Sequence, residues 1–418
     1  GGGGAAVSAA LLALNERTFA SLRKHRNFRL FFTGQVISVS GTWMQNVGLA
    51  WFVYDLTRSP LAVGILTFCR FAPQTVFVLF AGVLADRLDN RRLVITTQAA
   101  SMAVSVALAA LAFSGGAQVW QVYVLALLAG MAQVFDSPGR HALVYQMVGR
   151  AELPNAIALN TSVFNASRVV GPGIAGLLIA SVGVGACFAV NALSFTAVLT
   201  ALLLMNTREL HPVERADRRP TLLGEVREGL SFARGDQRVR IVLLLVLVVG
   251  TLGVNNGVIL PVLASELHAG PEVFGLLSAT FGAGALVGAL ATASLGRASW
   301  KVLLIGTTGF GAAMLLVAPQ STVAACAACL LLAGLCFTLW SANSNSLLQL
   351  TAPDHLRGRV LSLYLFAFHG LAPVGGPLIG WLIQVGGTDL AFQLAGGSAL
   401  AMAALAARAA PASATPLR

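Results

Sequence analysis

The chain has 418 residues, 56% hydrophobic and only 10% charged, with a mean hydropathy of +0.79 and a net charge of +11. Soluble proteins carry about a quarter charged residues; here the apolar excess runs the whole length, which excludes a soluble domain with one anchor and leaves a polytopic membrane protein. The only lysines are Lys24 and Lys301 and no Gly-x-x-x-x-Gly-Lys-Ser/Thr occurs, which excludes an internal ATP motor.

Residues 1–27 read as a cytoplasmic tail, with Leu11 to Leu14 lying on the membrane surface ahead of Arg17, Arg23, Lys24 and Arg26. About 20 apolar residues cross the hydrocarbon core, and only as helix, because an open sheet edge stays unsatisfied in lipid. Six such stretches fall in 28–205: Phe28–Tyr54, Leu61–Leu84, Leu93–Phe113, Val119–Phe135, Asn155–Ala180 and Ala186–Met205. The segment 206–238 is the one long polar stretch, a cytoplasmic linker in which Leu222, Leu223, Val226, Leu230 and Ala233 share one helical face. Six more spans fall in 239–408: Val239–Leu263, Val273–Leu295, Val302–Ala318, Thr322–Leu347, Arg359–Val385 and Leu390–Ala407. Residues 409–418 form a cytoplasmic tail.

All but three of the 27 Lys and Arg residues fall in the tails, the linker and loops on the same side; Arg58 lies opposite, and Arg70 and Arg168 lie inside spans. The positive-inside rule therefore places both termini in the cytoplasm, and bilayer orientation explains the basic balance better than nucleic acid does. Five cysteines (Cys69, Cys187, Cys326, Cys329, Cys336) all lie in apolar runs and read as small buried hydrophobes, not as a disulfide framework.

The two halves carry matching signatures. Gly171-Pro172 in span 5 and Gly376-Pro377 in span 11 stand 205 residues apart, close to half the chain. The expected fold is all-α, with twelve transmembrane helices in two parallel six-helix repeats. The Gly-Pro pairs are candidate kinks or gates, since proline removes a helix hydrogen bond and glycine admits a neighbour.

Loop 2–3 reads Gly82-Val-Leu-Ala-Asp86-Arg87-Leu-Asp89-Asn90-Arg91-Arg92. Its spacing resembles the loop 2–3 signature of the major facilitator superfamily of secondary transporters, with Asp89 where a second glycine is usual. Phe135-Asp136-Ser-Pro-Gly-Arg140, Leu153-Pro-Asn-Ala-Ile-Ala-Leu-Asn160, Arg168-Val-Val-Gly171-Pro172 and Arg357-Gly-Arg-Val-Leu-Ser362 are similar to the enterobactin-exporter-like branch. The resemblance implies a conformational-switch motif of Gly82, Asp86, Arg87, Arg91, Arg92 and Asp136. Asp136 reads either as a protonation site or as the partner of Arg87 or Arg91.

Arg70 and Arg168 lie roughly 15–20 Å into their spans, near mid-membrane. Intramembrane arginine is costly and faces a cavity or a partner. Backbone carbonyls, water, Asp55 or an acceptor-rich substrate each satisfy that demand. His369 sits mid-span, the one group with a near-neutral intrinsic pKa at that depth. Gly34, Gly41 and Gly48 recur every seven residues as a close-packing face of span 1. Gln35, Gln45, Asn46, Asn165, Asn255 and Asn256 are candidate cavity residues.

The expected function is export of a small molecule — siderophore, drug or metabolite, anionic or neutral — across the inner membrane by alternating access. Proton coupling is inherited from the resemblance. Uptake by symport is the alternative, and a non-transporting sensor or assembly factor a third reading, which lacks the soluble domain it requires. No enzyme activity is expected, since clustered His, Asp or Glu ligands at depth are missing. Neither cofactor nor metal is expected, and the protein reads as a monomer in the lipid bilayer.

Overall fold

The computed structural model describes residues 19–212, 222–295, 297–353 and 355–409, with the side chains of 79, 82–87 and 222–226 left out. The surface-lying Leu11–Leu14, most of the C-terminal tail, and the side chains of Gly82, Asp86, Arg87, Leu222, Leu223 and Val226 therefore lie outside the described residues.

Nine helices are long and apolar enough to cross a membrane among the described residues. Two of these fold back on themselves. Val119–Val182 is broken at Gly149, and Arg357–Arg408 at Gly386-Gly387. Both turns need a left-handed residue, Gly149 at φ +68° and Gly387 at φ +72°, where a Cβ would be strained. With the more polar helix Arg26–Thr57 as span 1, these make the twelve expected spans.

Side-chain caps set several starts. Asp89 accepts from the Arg92 amide and opens span 3; Asp236 accepts from Arg238 and Val239 and opens span 7. Ser299 does the same for span 9. Large apolar side chains such as Leu177, Leu193, Leu290 and Val385 point outward, as a lipid-facing surface requires.

Two spans expected to be continuous are not. Span 7 runs Gln237–Gly253, breaks at Val254-Asn255 and resumes as Asn256–Glu266. Span 11 runs Arg357–His369, breaks at Gly370-Leu371 and resumes at Ala372, with Pro373 in the first turn. The breaks adjoin, since a Cβ at Gly375 would lie 2.5 Å from the Thr251 carbonyl oxygen. Their freed polar groups are re-satisfied locally. Asn255 Nδ2 donates to Thr251 O at 2.7 Å, and Thr75 of span 2 donates to Gly370 O at 3.0 Å.

The halves meet through two glycine seams at the face opposite the linker. In one, span 2 packs on span 11: a Cβ at Gly64 would lie 2.5 Å from Gly376 O, and one at Gly380 2.6 Å from Pro60 O. In the other, span 5 packs on span 8: a Cβ at Gly275 would lie 2.5 Å from Pro172 O, and one at Gly176 2.8 Å from Pro271 O. Lipid offers no hydrophobic drive for helix pairing, so backbone proximity at glycine supplies the dispersion contact instead. Trp51 stacked on Phe274 at 6.2 Å adds to this closure. Toward the linker face, no comparable packing joins the ends of spans 4 and 5 to those of spans 10 and 11 among the described residues. The halves are closed opposite the linker by these two seams.

The Gly-Pro pairs, expected as kinks or gates, lie beside the contacts between helices. Pro172 and Pro377 sit within assigned helix, and Gly376 is a seam contact, where a Cβ would lie 3.0 Å from Gly64 O. Gly171 also presses on span 1, where a Cβ would lie 2.6 Å from Trp43 Cβ and 3.0 Å from Ser40 O. The break in span 11 falls at Gly370, ahead of its Gly-Pro pair.

The linker helix Leu222–Gly235 docks on the linker-face end of span 11, with Glu228 paired to Arg359 at 2.5 Å. On the other half, Ala20–Lys24 clasps loop 4–5. Ser21 Oγ donates to Asn155 Oδ1 at 2.7 Å, and Lys24 pairs with Glu152 at 2.5 Å. Asn27 then binds the backbone of Asn206 through both its amide atoms. His25 lies edge-on to His211, their ring centres 6.5 Å apart, over the Gly149 turn. Burial pushes the His25 imidazole below its ordinary value; Glu152 opposes this, and His211 and Lys24 reinforce it.

Candidate functional site

Between the halves, at mid-depth, stands Arg168. It is 14 residues before the end of its span at Val182, roughly 20 Å along the helix axis. Its guanidinium carbon lies 5.0 Å from the Phe337 ring centre, 5.4 Å from Phe281 and 5.9 Å from Trp43. Trp43 comes from span 1, Phe281 from span 8 and Phe337 from span 10, so both halves contribute walls. Each ring is within the range at which an aromatic quadrupole attracts a cation. Asp55 does not reach Arg168; it pairs with Arg58 at 2.5 Å on the face opposite the linker. Asn165 and Asn46, each half-buried, lie near in sequence to Arg168 and Trp43 on the same two spans.

Arg70 is half-buried in span 2 with its guanidinium over its own neighbour Phe71 at 5.2 Å. Among the described residues it shares no ring contact with Arg168. His369 is exposed at the inner end of the first half of span 11, its ring 4.7 Å from Phe368. Phe368 belongs to an aromatic cluster with Tyr364, Trp340 and Phe337, which connects the span 11 break to the Arg168 box. Asn255 is spent on capping its own broken helix. Asn256 Oδ1 and the neighbouring Thr251 Oγ1 are buried atoms without a partner among the described residues.

One expected cavity residue is held in a buried network. Gln45 Oε1 accepts from Ser105 at 2.7 Å and from Asn191 at 2.8 Å, a buried network tying spans 1, 3 and 6. Gln35 is buried, 7% exposed, with Oε1 unpartnered among the described residues.

Asp136 is 2% exposed and takes four donors. Arg140 meets Oδ2 through Nε at 2.9 Å and through Nη2; Thr97 and Gln98 each reach Oδ1 at 2.8 Å. Its ionic partner is thus Arg140, one helical turn along the same span. Arg91 goes elsewhere, donating to Leu202 O at 2.8 Å and Leu203 O at 3.3 Å, the free carbonyls at the end of span 6. Arg92 is exposed.

Sequence reasoning missed Trp43, Phe281 and Phe337, because an aromatic residue in an apolar span carries no mark of a polar neighbour. The two helix breaks had a signal, in Asn255-Asn256-Gly257 and in Gly370 followed by Pro373.

A profile of the transmembrane secretion effector family matches residues 16–414. The chain is 25% identical over 373 residues to the staphyloferrin A transporter of Staphylococcus aureus, covering 88% of this chain and 92% of that one. It is 28% identical over 361 residues to the multidrug efflux pump Tap of Mycolicibacterium fortuitum, covering 84% and 88%. To the macrolide efflux protein A of Streptococcus pyogenes it is 24% identical over 356 residues, covering 82% and 86%. Among solved structures, the nucleoside transporter NupG superposes with a TM-score of 0.73 at 10% identity, covering 91% of this chain and 98% of that one. A bacterial homologue of the iron transporter ferroportin, in its inward-facing state, superposes with a TM-score of 0.72 at 14% identity, covering 92% and 98%.

Proposed function

This chain belongs to the transmembrane secretion effector family of major facilitator transporters, and from that membership and the Arg168 site we propose that it exports a small anionic or acceptor-rich neutral molecule from the cytoplasm. The observation that carries the reading is Arg168 itself. An arginine with no acidic partner among the described residues stands at mid-depth between the halves, one turn inward of the span 5–span 8 seam. A cavity of that sign favours an anion and disfavours a cation.

Basic residues gather on the linker face, which makes that face cytoplasmic in the inner membrane and the described state inward-open. Substrate enters there and meets Arg168, with Asn46 and Asn165 as further polar groups. The halves then rock, the seams at Gly64–Gly376 and Gly176–Gly275 part, and the site faces outward. The loop 2–3 motif, Gly82, Asp86 and Arg87, is the proposed conformational switch on the linker face. Arg70 supplies a second positive charge to the N-terminal half. Protons are the proposed coupling ion, with His369 as the titratable group nearest mid-depth; Asp136, held by Arg140, is structural.

The test is transport into inverted vesicles or proteoliposomes under an imposed pH gradient, with siderophores, acidic metabolites and drugs as substrates. Gradient-dependent movement of an anion that Arg168→Ala abolishes supports the reading. Efficient export of permanent cations such as ethidium, unaffected by Arg168→Ala or Arg70→Ala, refutes it. Accumulation in the opposite direction favours uptake by symport.

A further inference from the structure

An arginine at mid-membrane is normally answered by a carboxylate. Arg168 is not. Of the acids at comparable or nearby positions, Asp55 is held by Arg58, Asp136 by Arg140, Glu266 by Thr388, and Glu272 accepts from the Gly270 amide. Three ring faces take the carboxylate's place. The substitution matters chemically. A carboxylate cancels the charge and occupies the N–H donors; an aromatic quadrupole stabilises the cation and does neither. Arg168 has no hydrogen bond or ion pair among the described residues, so its planar fork keeps donors free for a bidentate oxyanion.

The walls also come from opposite halves. Phe281 adjoins Gly282, and a Cβ at Gly282 would lie 2.7 Å from Arg168 O. The contact between spans 5 and 8 continues outward through Pro172–Gly275 and Gly176–Pro271. Parting that seam draws span 8 from span 5, and Phe281 from the guanidinium. Water then reaches a cation that the rings had screened, and an ion pair that is strong in a dry site weakens in a wet one.

The geometry points to an anion site whose affinity depends on state: Trp43, Phe281 and Phe337 hold Arg168 dry and un-neutralised for one carboxylate or similar oxyanion of the substrate while the cavity faces the cytoplasm, and outward opening dismantles the box and releases the anion. This rests on the reading of Arg168 as a substrate residue. It adds three specificity-determining side chains and an affinity that falls on outward opening; the direction of net movement is set by the coupling gradient.

The experiment uses the full chain in nanodiscs with dansylglycine, a fluorescent monocarboxylate, and dansylglycinamide, its neutral counterpart. The wild type is expected to bind the carboxylate more tightly than the amide. Phe281→Leu and Phe337→Leu should each weaken dansylglycine about tenfold, the order of one desolvated cation–π contact, while Phe337→Tyr, which keeps the quadrupole, binds as the wild type. Phe337→Met serves where Phe337→Leu does not fold. Gly64→Trp touches no ring of the box but cannot coexist with the closed span 2–span 11 seam, and should weaken dansylglycine to a similar degree. If Arg168→Ala abolishes binding while the Phe→Leu and Gly64→Trp variants bind as the wild type, the state-dependent box is wrong and the anionic reading survives. If the wild type does not prefer the carboxylate, the anion box falls; if Arg168→Ala binds both probes as the wild type, the reading of Arg168 as a substrate residue falls with it.

Discussion

A single methyl group at Gly64 should reopen the face that the structure shows closed. The added Cβ would meet Gly376 O at 2.5 Å, with Gly376 C and Pro377 Cα both at 2.9 Å. All three are backbone atoms of a packed helix, so no side chain can turn aside. Restoring ordinary contact near 3.4 Å displaces the spans by about 0.9 Å, and a gap of that size forfeits roughly a quarter to a half of each dispersion well along the seam. Overpacking of this kind costs about 1–3 kcal/mol. The strain exists only while the seam is shut, so it shifts the closed-to-open ratio by a factor of about 5–150. Spin labels at Arg58→Cys and Asp389→Cys, in a background with the five native cysteines replaced, would report the separation across that face by pulsed electron resonance. Gly64→Ala should move population to longer distances. Gly173→Ala is the internal control: it follows the Gly-Pro pair directly, yet its Cβ would meet only Ala279 Cβ at 3.8 Å. An unchanged distribution in Gly64→Ala, or an equal shift in Gly173→Ala, would show that backbone proximity does not set the equilibrium.

Arg140→Met leaves Asp136 a nearly buried, unpaired carboxylate and should cost about 3–5 kcal/mol in stability; the double variant Asp136→Leu/Arg140→Met should recover most of it in thermal unfolding in detergent, and a failure to recover would give the pair a role beyond folding. Asn191→Ala strips one donor from Gln45 and should lower stability by about 1–3 kcal/mol with KM for transport unchanged; a raised KM would return Gln45 to the cavity. The N-terminal clasp should loosen with acid. His25 is held below 6.5 in the folded chain, so below that pH the undocked segment takes up the proton first, and docking weakens as pH falls toward the folded value. Hydrogen exchange over residues 20–27, corrected for its intrinsic pH dependence, should speed up between pH 7.5 and 5.5 in the wild type and less so in His25→Gln.

The fold was legible because its determinants are local and repeated. Apolar length forces a helix across lipid, and the Gly-Pro pairs marked the duplication before any contact was known. What Gly171 and Gly376 do was not legible, since proline suggests a kink, whereas which neighbour a glycine admits is settled only by the packing of another span. The same limit divides the candidate polar residues. Gln45 and Asn46 are adjacent in sequence, but a helix turns 100° between them, and one falls into the Ser105–Asn191 network while the other faces away from it.

The arginines show where sequence reasoning meets its physical boundary. Arg140 and Arg168 both occupy the N-terminal half, each within a helix that carries one of the family-like signatures. Arg140 has an acid one turn before it, and the pair is closed: charge cancelled, donors used, carboxylate buried. That i,i+4 spacing is visible in the sequence, and it gives Asp136 its ionic partner on its own helix. Arg168 has no acid within a turn, and that absence is equally visible. What answers it comes from spans 1, 8 and 10, distant in the chain and chemically indistinct from core packing. A charge that its own helix neutralises serves the fold. One that is stabilised without being neutralised, by rings from both moving bodies, keeps its field for a ligand and changes its surroundings whenever the bodies move. On that distinction Arg168→Lys should fail where Arg140→Lys is tolerated: an ammonium opposite Asp136 still closes an ion pair, but a point charge in the aromatic box offers no planar fork to an oxyanion. Comparable stability for the two lysine variants, with anion binding lost only at Arg168, is the expected outcome, and anion binding retained by Arg168→Lys would mean that charge alone suffices.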